Sequence, residues 1–430
     1  MRMKILVTGA SGFIGSHLIQ ALITEGHEPL ACARSEHKIK QRWPDMRTIK
    51  ADFTQDHDAD DWLPRLRGID IVINAAGIIR ETSAQTFDAL HTTGPCALFK
   101  AAELAGVKKV IQISALGADQ TAFSQYHLSK RAADEYLAGL NLEWVIVKPS
   151  IVYGPGAKSM EFFKSIAAFP VMPLIDKGDQ PIQPIYINDL TRAILQLIKP
   201  DAPKQISINM VGPHPVTIKE LYQTLRHWLG KSNGRFLSLP YSLSLSAAWL
   251  GGFMGPPPMT KEAVHMLRNG NTADVTPFIQ TFGFTPSSFK SSLTQTLAQQ
   301  SDHWHADLYL LRPLLRISIA FLWIFTGIVS AFVFPIEQSY AMLAKAGISR
   351  EWAPIMLYGA AFTDLALGVA TLMRYRISLV ASIQIAIVLL YTVIITFSQP
   401  EQWQHPFGPI SKNIPLIVAT LVMIALERRS

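Results

Sequence analysis

Two kinds of hydrophobic patterning divide the chain. Up to about Gln300, short apolar runs alternate with amphipathic stretches, whereas from Pro313 onward the apolar runs are long. The short runs are Lys4–Thr8, Glu28–Ala33, Thr48–Ala51, Asp70–Asn74, Lys109–Ser114 and Leu142–Lys148. They are rich in β-branched residues and are separated by helix-period segments, which predicts a parallel α/β sheet wound on both faces. The long runs are Pro313–Phe334, Trp352–Met373, Ile377–Phe397 and Asn413–Leu426. A membrane-spanning helix needs about 20 mostly apolar residues. The first three runs meet that length, and the fourth is short unless it extends outward through Phe407–Ser411.

The first strand runs into the turn GASGFIG at Gly9–Gly15, followed by an amphipathic stretch, Ser16–Thr24. Strand, glycine turn and helix in this order make a dinucleotide site. Gly9 permits the tight turn, Gly12 lets backbone approach a pyrophosphate, and Gly15 lets helix and strand pack closely. Ser11, Phe13 and Ile14 complete the turn, and the helix N-terminus offers N–H groups and a positive dipole end to phosphate. The second strand ends at Arg34-Ser35. An NAD site usually places an acid here for the ribose 2′-hydroxyl, whereas arginine offers a planar fork for a 2′-phosphate. NADP(H) is therefore the expected cofactor.

The expected fold class is an α/β doubly wound Rossmann fold with a small substrate lobe, followed by an all-α four-helix transmembrane bundle. The boundaries are 1–300 for the nucleotide domain (substrate lobe mainly 156–300), 301–312 for a linker and 313–430 for the membrane domain. The spans are expected at about 313–334, 352–373, 377–397 and 413–426.

A mean hydropathy of +0.21 with 17% charged residues averages over these unlike halves. The formal charge of +7 comes with no dense Lys/Arg block or basic-aromatic stripe, which argues against nucleic acid and suits anionic lipid at a membrane face. Two cysteines, Cys32 and Cys96, give no disulfide framework and no metal-site pattern. Met1–Thr8 runs straight into strand and glycine turn, so no signal peptide is expected and the nucleotide domain is expected in the cytosol. Arg312, Arg316, Arg374, Arg376, Arg428 and Arg429 fall at alternate ends of the apolar runs, against Lys345, Arg350 and Lys412 at the others. By the positive-inside rule the arginine side is cytoplasmic, at an inner membrane of bacterial type.

Six landmarks in order now resemble one family, the extended or atypical short-chain dehydrogenase/reductases. They are TGASGFIG at Thr8–Gly15, AD at Ala51-Asp52, NAAG at Asn74–Gly77, YHLSK at Tyr126–Lys130, KPSIVYGPG at Lys148–Gly156 and YINDL at Tyr186–Leu190. The pattern is most similar to the branch that includes the NADPH-binding accessory subunit of respiratory complex I. The resemblance implies that Asp52 and Phe53 meet the adenine side. It also implies that Ala75, Ala76, Gly77, Pro149 and Val152 line the cofactor, and that Lys130 holds the nicotinamide ribose. Where many relatives carry asparagine after the fourth strand this chain has His91, which departs from any proton relay built on that asparagine. The C-terminal bundle, with its PFGPISKNIPLIVATL ending, resembles the DoxX-like membrane family.

Tyr126 and Lys130 stand four apart and project from one helix face. A nearby ammonium would favour phenolate and bring the tyrosine pKa down from about 10. Ser114 resembles the serine that polarises a substrate carbonyl. Tyr126, Lys130 and Ser114 are therefore the expected catalytic residues. Met160, Phe162, Phe163, Phe169 and Met172 suit either a nonpolar substrate or core packing. The run Phe236–Pro258, with Trp249, Phe253 and Met254, reads as an interfacial or lid segment. Asp364 is an acid in mid-span, either functional or a lock between helices, with Gln384 as its candidate partner.

The function expected from all this is a membrane-anchored NADP(H)-dependent oxidoreductase acting on a nonpolar, lipid- or quinone-like substrate. The alternative is a non-catalytic NADP(H)-binding assembly factor for a membrane complex. Membrane lipid and a membrane-complex subunit or second copy are the expected partners.

Overall fold

The computed structural model describes residues 2–246, 261–295 and 297–427. It divides into two compact units, one ending at Ala306 and one beginning at Asp307. Trp249, Phe253, Met254, Arg428 and Arg429 lie outside the described residues. Of the proposed lid, the described part begins with the strand Arg235–Leu239, which pairs in parallel with Val171–Ile175.

The first unit is built on β1 (Lys4–Thr8), β2 (Glu28–Ala33), β3 (Thr48–Lys50), β4 (Ile71–Asn74), β5 (Lys109–Ile113), β6 (Glu143–Pro149) and β7 (Ile206–Met210). All pair in parallel, in the order β7-β6-β5-β4-β1-β2-β3. Most of their apolar residues are buried, on both faces, as helix-covered parallel strands require. One face packs against α1 (Phe13–Thr24) through Leu18, Ile19 and Leu22. The other packs against α2 (Gly94–Leu104) and α3 (Gln125–Ala138) through Leu98, Ala101, Ala133 and Leu137. Strand order reverses between β1 and β4, and ligands of doubly wound sheets bind at such a switch point. In the lobe beyond, Met160, Phe163 and Met172 are core residues and Phe169 is exposed, so packing accounts for most of these side chains. The helix α4 (Lys261–Arg268) completes the part that bears on the site.

Residues 301–312, expected as a linker, are helical instead. They form the start of α5 (Gln300–Ile328). The segment contains no glycine or proline to interrupt the helix. Within the first unit, Lys164 and Asp302 pair at 2.8 Å.

The second unit contains α5 from Asp307 onward, α6 (Ala353–Leu372), α7 (Ile377–Ser398) and α8 (Asn413–Glu427). Among the described residues three helices are long and apolar enough to cross a membrane: α6, α7 and α5 with its π-helical extension to Val333. The fourth, α8, has 15 residues and is the short apolar helix that the sequence run predicts. Large apolar side chains such as Phe321, Phe325, Phe362, Leu390 and Phe397 are exposed on these helices. A water-soluble bundle would bury them. α5 and α6 approach closely through small residues. A Cβ on Gly368 would stand 2.9 Å from the Ile324 backbone nitrogen and 3.0 Å from the Ala320 carbonyl oxygen. Gln384, the candidate partner of Asp364, donates instead to the Thr371 hydroxyl at 2.9 Å. At one bundle end, Glu427 is fully enclosed and receives Arg312, Arg316 and Arg374 at 3.4, 3.0 and 2.7 Å.

Candidate functional site

The β1–α1 turn is built as its glycines require. Gly9 has φ +62°, and an added Cβ would sit 2.5 Å from the Ala75 carbonyl oxygen. A Cβ on Gly15 would collide with the Gly9 carbonyl. Ser11 and Gly12 are exposed at the mouth, and Gly12 is the N-cap of α1 with no capping side chain. The helix N-terminus is thus left for an external acceptor, and the cradle fits a pyrophosphate. Phe13 and Ile14 turn inward onto the core beneath α1.

Around this turn the other expected cofactor residues divide into two sets. Arg34 and Ser35 are exposed after β2, and the Arg34 guanidinium reaches the Gln85 side chain at 3.3 Å. The Asp52 carboxylate is held in a local turn, accepting from the Thr54 backbone N–H at 3.0 Å and the Thr54 hydroxyl at 2.8 Å. Phe53 was expected on the cofactor but is a core residue, packed on Trp62 at 5.2 Å between ring centres. Its ring fills the space beside Gly94, where a Cβ would meet it. Ala75, Ala76 and Gly77 follow β4, with Gly77 exposed. Pro149 is buried at the end of β6, and Val152 is half-buried against the core.

A buried polar ladder crosses the strand ends: Thr8 donates to Asn74 Oδ1 at 2.5 Å, and Asn74 Nδ2 donates to Gln112 Oε1 at 2.7 Å. Below Gly77 lie Lys130 and His91, whose Nζ and Nε2 would stand 3.1 and 3.3 Å from a Cβ at that position. Lys130 is buried and donates to the carbonyls of Ile113 at 3.1 Å and Ala76 at 3.4 Å. His91 sits in a π-helical turn, Asp88–Thr93, a distortion that often marks functional positions. Its Nε2 accepts from the Ile78 N–H at 3.0 Å, so its proton is on Nδ1, which reaches Ser129 Oγ at 3.0 Å. Burial first, and the Lys130 charge second, push the His91 pKa down to about 2, leaving a neutral imidazole.

Tyr126 packs edge-on against His91 at 5.3 Å and Phe87 at 5.9 Å between ring centres. Its backbone N–H donates to Glu262 of α4 at 3.0 Å, a carboxylate at the N-terminus of α3. Burial, with Glu262 and Asp134 adding to it, raises the Tyr126 phenol to about 12. The expectation from spacing was the reverse. Desolvation dominates, and the Lys130 ammonium donates to two backbone carbonyls instead. Ser114 also departs from expectation: it is buried, and its hydroxyl donates to Asp134 Oδ2 at 2.5 Å. That proton is committed to a carboxylate rather than to a substrate oxygen. Sequence pattern did not single out Asp134 or Glu262. Asp134 had a signal, standing four residues after Lys130 on the same face. Glu262 had none, because it is distant in sequence.

Residues 9–164 match the NAD(P)H-binding family, and residues 320–421 match the DoxX-like family. The chain is 26% identical over 238 residues to a ceramide reductase of Caulobacter vibrioides, covering 55% of this chain and 73% of that protein. It is 27% identical over 258 residues to the mitochondrial NADH dehydrogenase [ubiquinone] 1 alpha subcomplex subunit 9 of Arabidopsis thaliana, covering 58% of this chain and 63% of that protein. In fold it is similar to an NADPH-dependent quinone oxidoreductase of Escherichia coli, crystallised with NADPH. The TM-score there is 0.56 at 17% identity, over 68% of this chain and 99% of that one. The DoxX-like match and the three apolar helices support association of the second unit with a membrane. The chain is thus similar to the NAD(P)H-binding family over residues 9–164, on a Rossmann-like sheet, and to the DoxX-like family over residues 320–421.

Proposed function

We propose that this protein is a membrane-anchored, NADP(H)-dependent oxidoreductase that reduces a carbonyl on a nonpolar, lipid-like substrate. The observation that carries the reading is the stacking of Gly77, Lys130, His91 and Tyr126 at the switch point of the sheet, beside an uncapped glycine turn. In this reading the turn from Gly9 to Gly15 holds the pyrophosphate, Arg34 and Ser35 meet the 2′-phosphate, and Asp52 meets the adenine. Ala75–Gly77, Pro149 and Val152 line the remainder, and Lys130 meets the nicotinamide ribose. NADPH, once bound, supplies the hydride.

The chain's own residues supply the rest. A phenol raised to about 12 keeps its proton at neutral pH, so Tyr126 acts as an acid, which suits the reducing direction. Neutral His91 walls the tyrosine ring and fixes the Ile78 backbone. Ser114 holds its partner Asp134 in place. A lipid substrate agrees with the name of the Caulobacter relative and with the apolar second unit. Arg312, Arg316 and Arg374 meet at one bundle end, as a cytoplasmic arginine face would place them.

A second reading has its own support: the expected serine is occupied, and one relative is a complex I subunit. There the protein holds NADP(H) without turnover, as a structural member of a membrane complex. One assay separates the two. The purified full chain is expected to bind NADPH more tightly than NADH and to oxidise NADPH with a membrane lipid extract. Tyr126→Phe is expected to slow that oxidation by about 10²–10⁴-fold while still binding NADPH. Binding without turnover in the wild type would favour the second reading. Unchanged turnover in the variant would remove Tyr126 as the acid.

A further inference from the structure

Tyr126, Lys130 and Asp134 follow one another at four-residue intervals on α3 and so share a face. Lys130 and Asp134 are both only 4% exposed. The charged and titratable groups that act on Lys130 are His91 from the π-helical turn and Asp134 from its own helix. Of these, Asp134 is the carboxylate. Two carbonyl oxygens solvate the ammonium but bring no compensating charge. Burial pulls the Lys130 pKa below that of an ordinary lysine, and Asp134 acts against that pull.

Asp134 is itself held from two strands. Ser114 of the β5 end donates to Oδ2 at 2.5 Å, and Lys148 of β6 stands 3.9 Å from the same oxygen while donating to the Ala118 carbonyl at 2.7 Å. Gln112 of β5 also faces the carboxylate, and its Oε1 closes the ladder back through Asn74 to Thr8. The other carboxylate oxygen, Oδ1, is buried with no hydrogen-bond partner. An enclosed acid that keeps one oxygen unpaired is costly to fold around. Holding a charge on its helix neighbour offsets that cost.

We propose that Asp134 is a positioning residue of the nucleotide site, whose carboxylate keeps Lys130 in its ammonium form and thereby sets the pH range over which the site retains NADPH. This rests on the reading above, in which Lys130 meets the nicotinamide ribose. His91 stays neutral at working pH and Tyr126 titrates only far above it, so Lys130 is the group whose charge changes on the alkaline side.

The test is a titration of the detergent-purified full chain with NADPH, followed by nucleotide fluorescence, from neutral to strongly alkaline pH. Wild-type affinity is expected to fall through a single alkaline midpoint. Asp134→Asn, of the same shape but uncharged, is expected to move that midpoint down by at least about one pH unit, equivalent to about tenfold in proton affinity. Asp134→Glu is expected to move it back toward wild type, which a purely packing role would not predict. Lys148→Met gives an independent reading should the asparagine variant fold poorly. Removing the competing cation is expected to raise the midpoint. Midpoints unchanged in Asp134→Asn, or in Lys148→Met where the first variant does not fold, overturn the role of Asp134 alone. A wild type that binds no NADPH at any pH overturns the nucleotide reading, and the role of Asp134 with it.

Discussion

At the scale of single residues, burial decides more of the chemistry than sequence spacing does. Tyr126 and Lys130 occupy the four-residue interval that brings them to one face, yet their dry surroundings raise the phenol and lower the ammonium. His91 is the extreme case. Folding takes an ordinary imidazole of pKa 6.5 and holds it at about 2. The depressed folded value means this contribution is intact above pH 6.5 and is lost as pH falls below it. The slope is up to about 1.4 kcal/mol per pH unit. Denaturation curves at pH 7.5 and 5.5 are therefore expected to show an acid loss that shrinks in His91→Gln, whose amide oxygen can still accept from Ile78. An equal loss in both proteins would place the acid sensitivity elsewhere. Residue type and spacing suffice to single out the glycine turn after β1. They do not reveal that Ser114 is claimed by Asp134, because that depends on which side of β5 faces α3.

At the scale of elements, the strands and long helices follow from periodicity, and the departures have local causes. All six short apolar runs form strands of one parallel sheet, with ends shifted by a residue or two. The π-helical turn at Asp88–Thr93 had no periodic signature, since one extra residue in a helix changes only which side chains face inward. In the second unit, α5 and α6 touch backbone to backbone at Gly368. Gly368→Leu should lower the thermal midpoint of the detergent-solubilised chain, by overpacking that costs about 1–3 kcal/mol. Chromatography on the same sample would show whether the bundle opens. A midpoint equal to wild type would mean the contact is not needed for stability. The continuous helix through residues 301–312 went unforeseen because polar and apolar residues mix there without capping signals.

At the scale of the whole molecule, two solvents are written into one chain: a sheet buried between helices, and a bundle that leaves its largest apolar side chains outward. The full chain is accordingly expected to remain in the pellet after alkaline carbonate extraction of membranes. Its release to the supernatant would remove the membrane placement. Sequence alone determined the doubly wound sheet, the glycine turn after β1, the absence of an acid after β2 and the long apolar runs of the C-terminal part. Each is a one-dimensional property, carried by period, residue type or run length. Tertiary structure alone decided that Phe53 is core, that Ser114 serves Asp134, that Glu262 reaches Tyr126 and that three arginines meet Glu427. Those pairings join residues from about 20 to more than 130 positions apart in sequence, and they depend on which faces the packed layers turn toward each other. No local pattern encodes that choice, because it is settled by how the remaining side chains fill the interior.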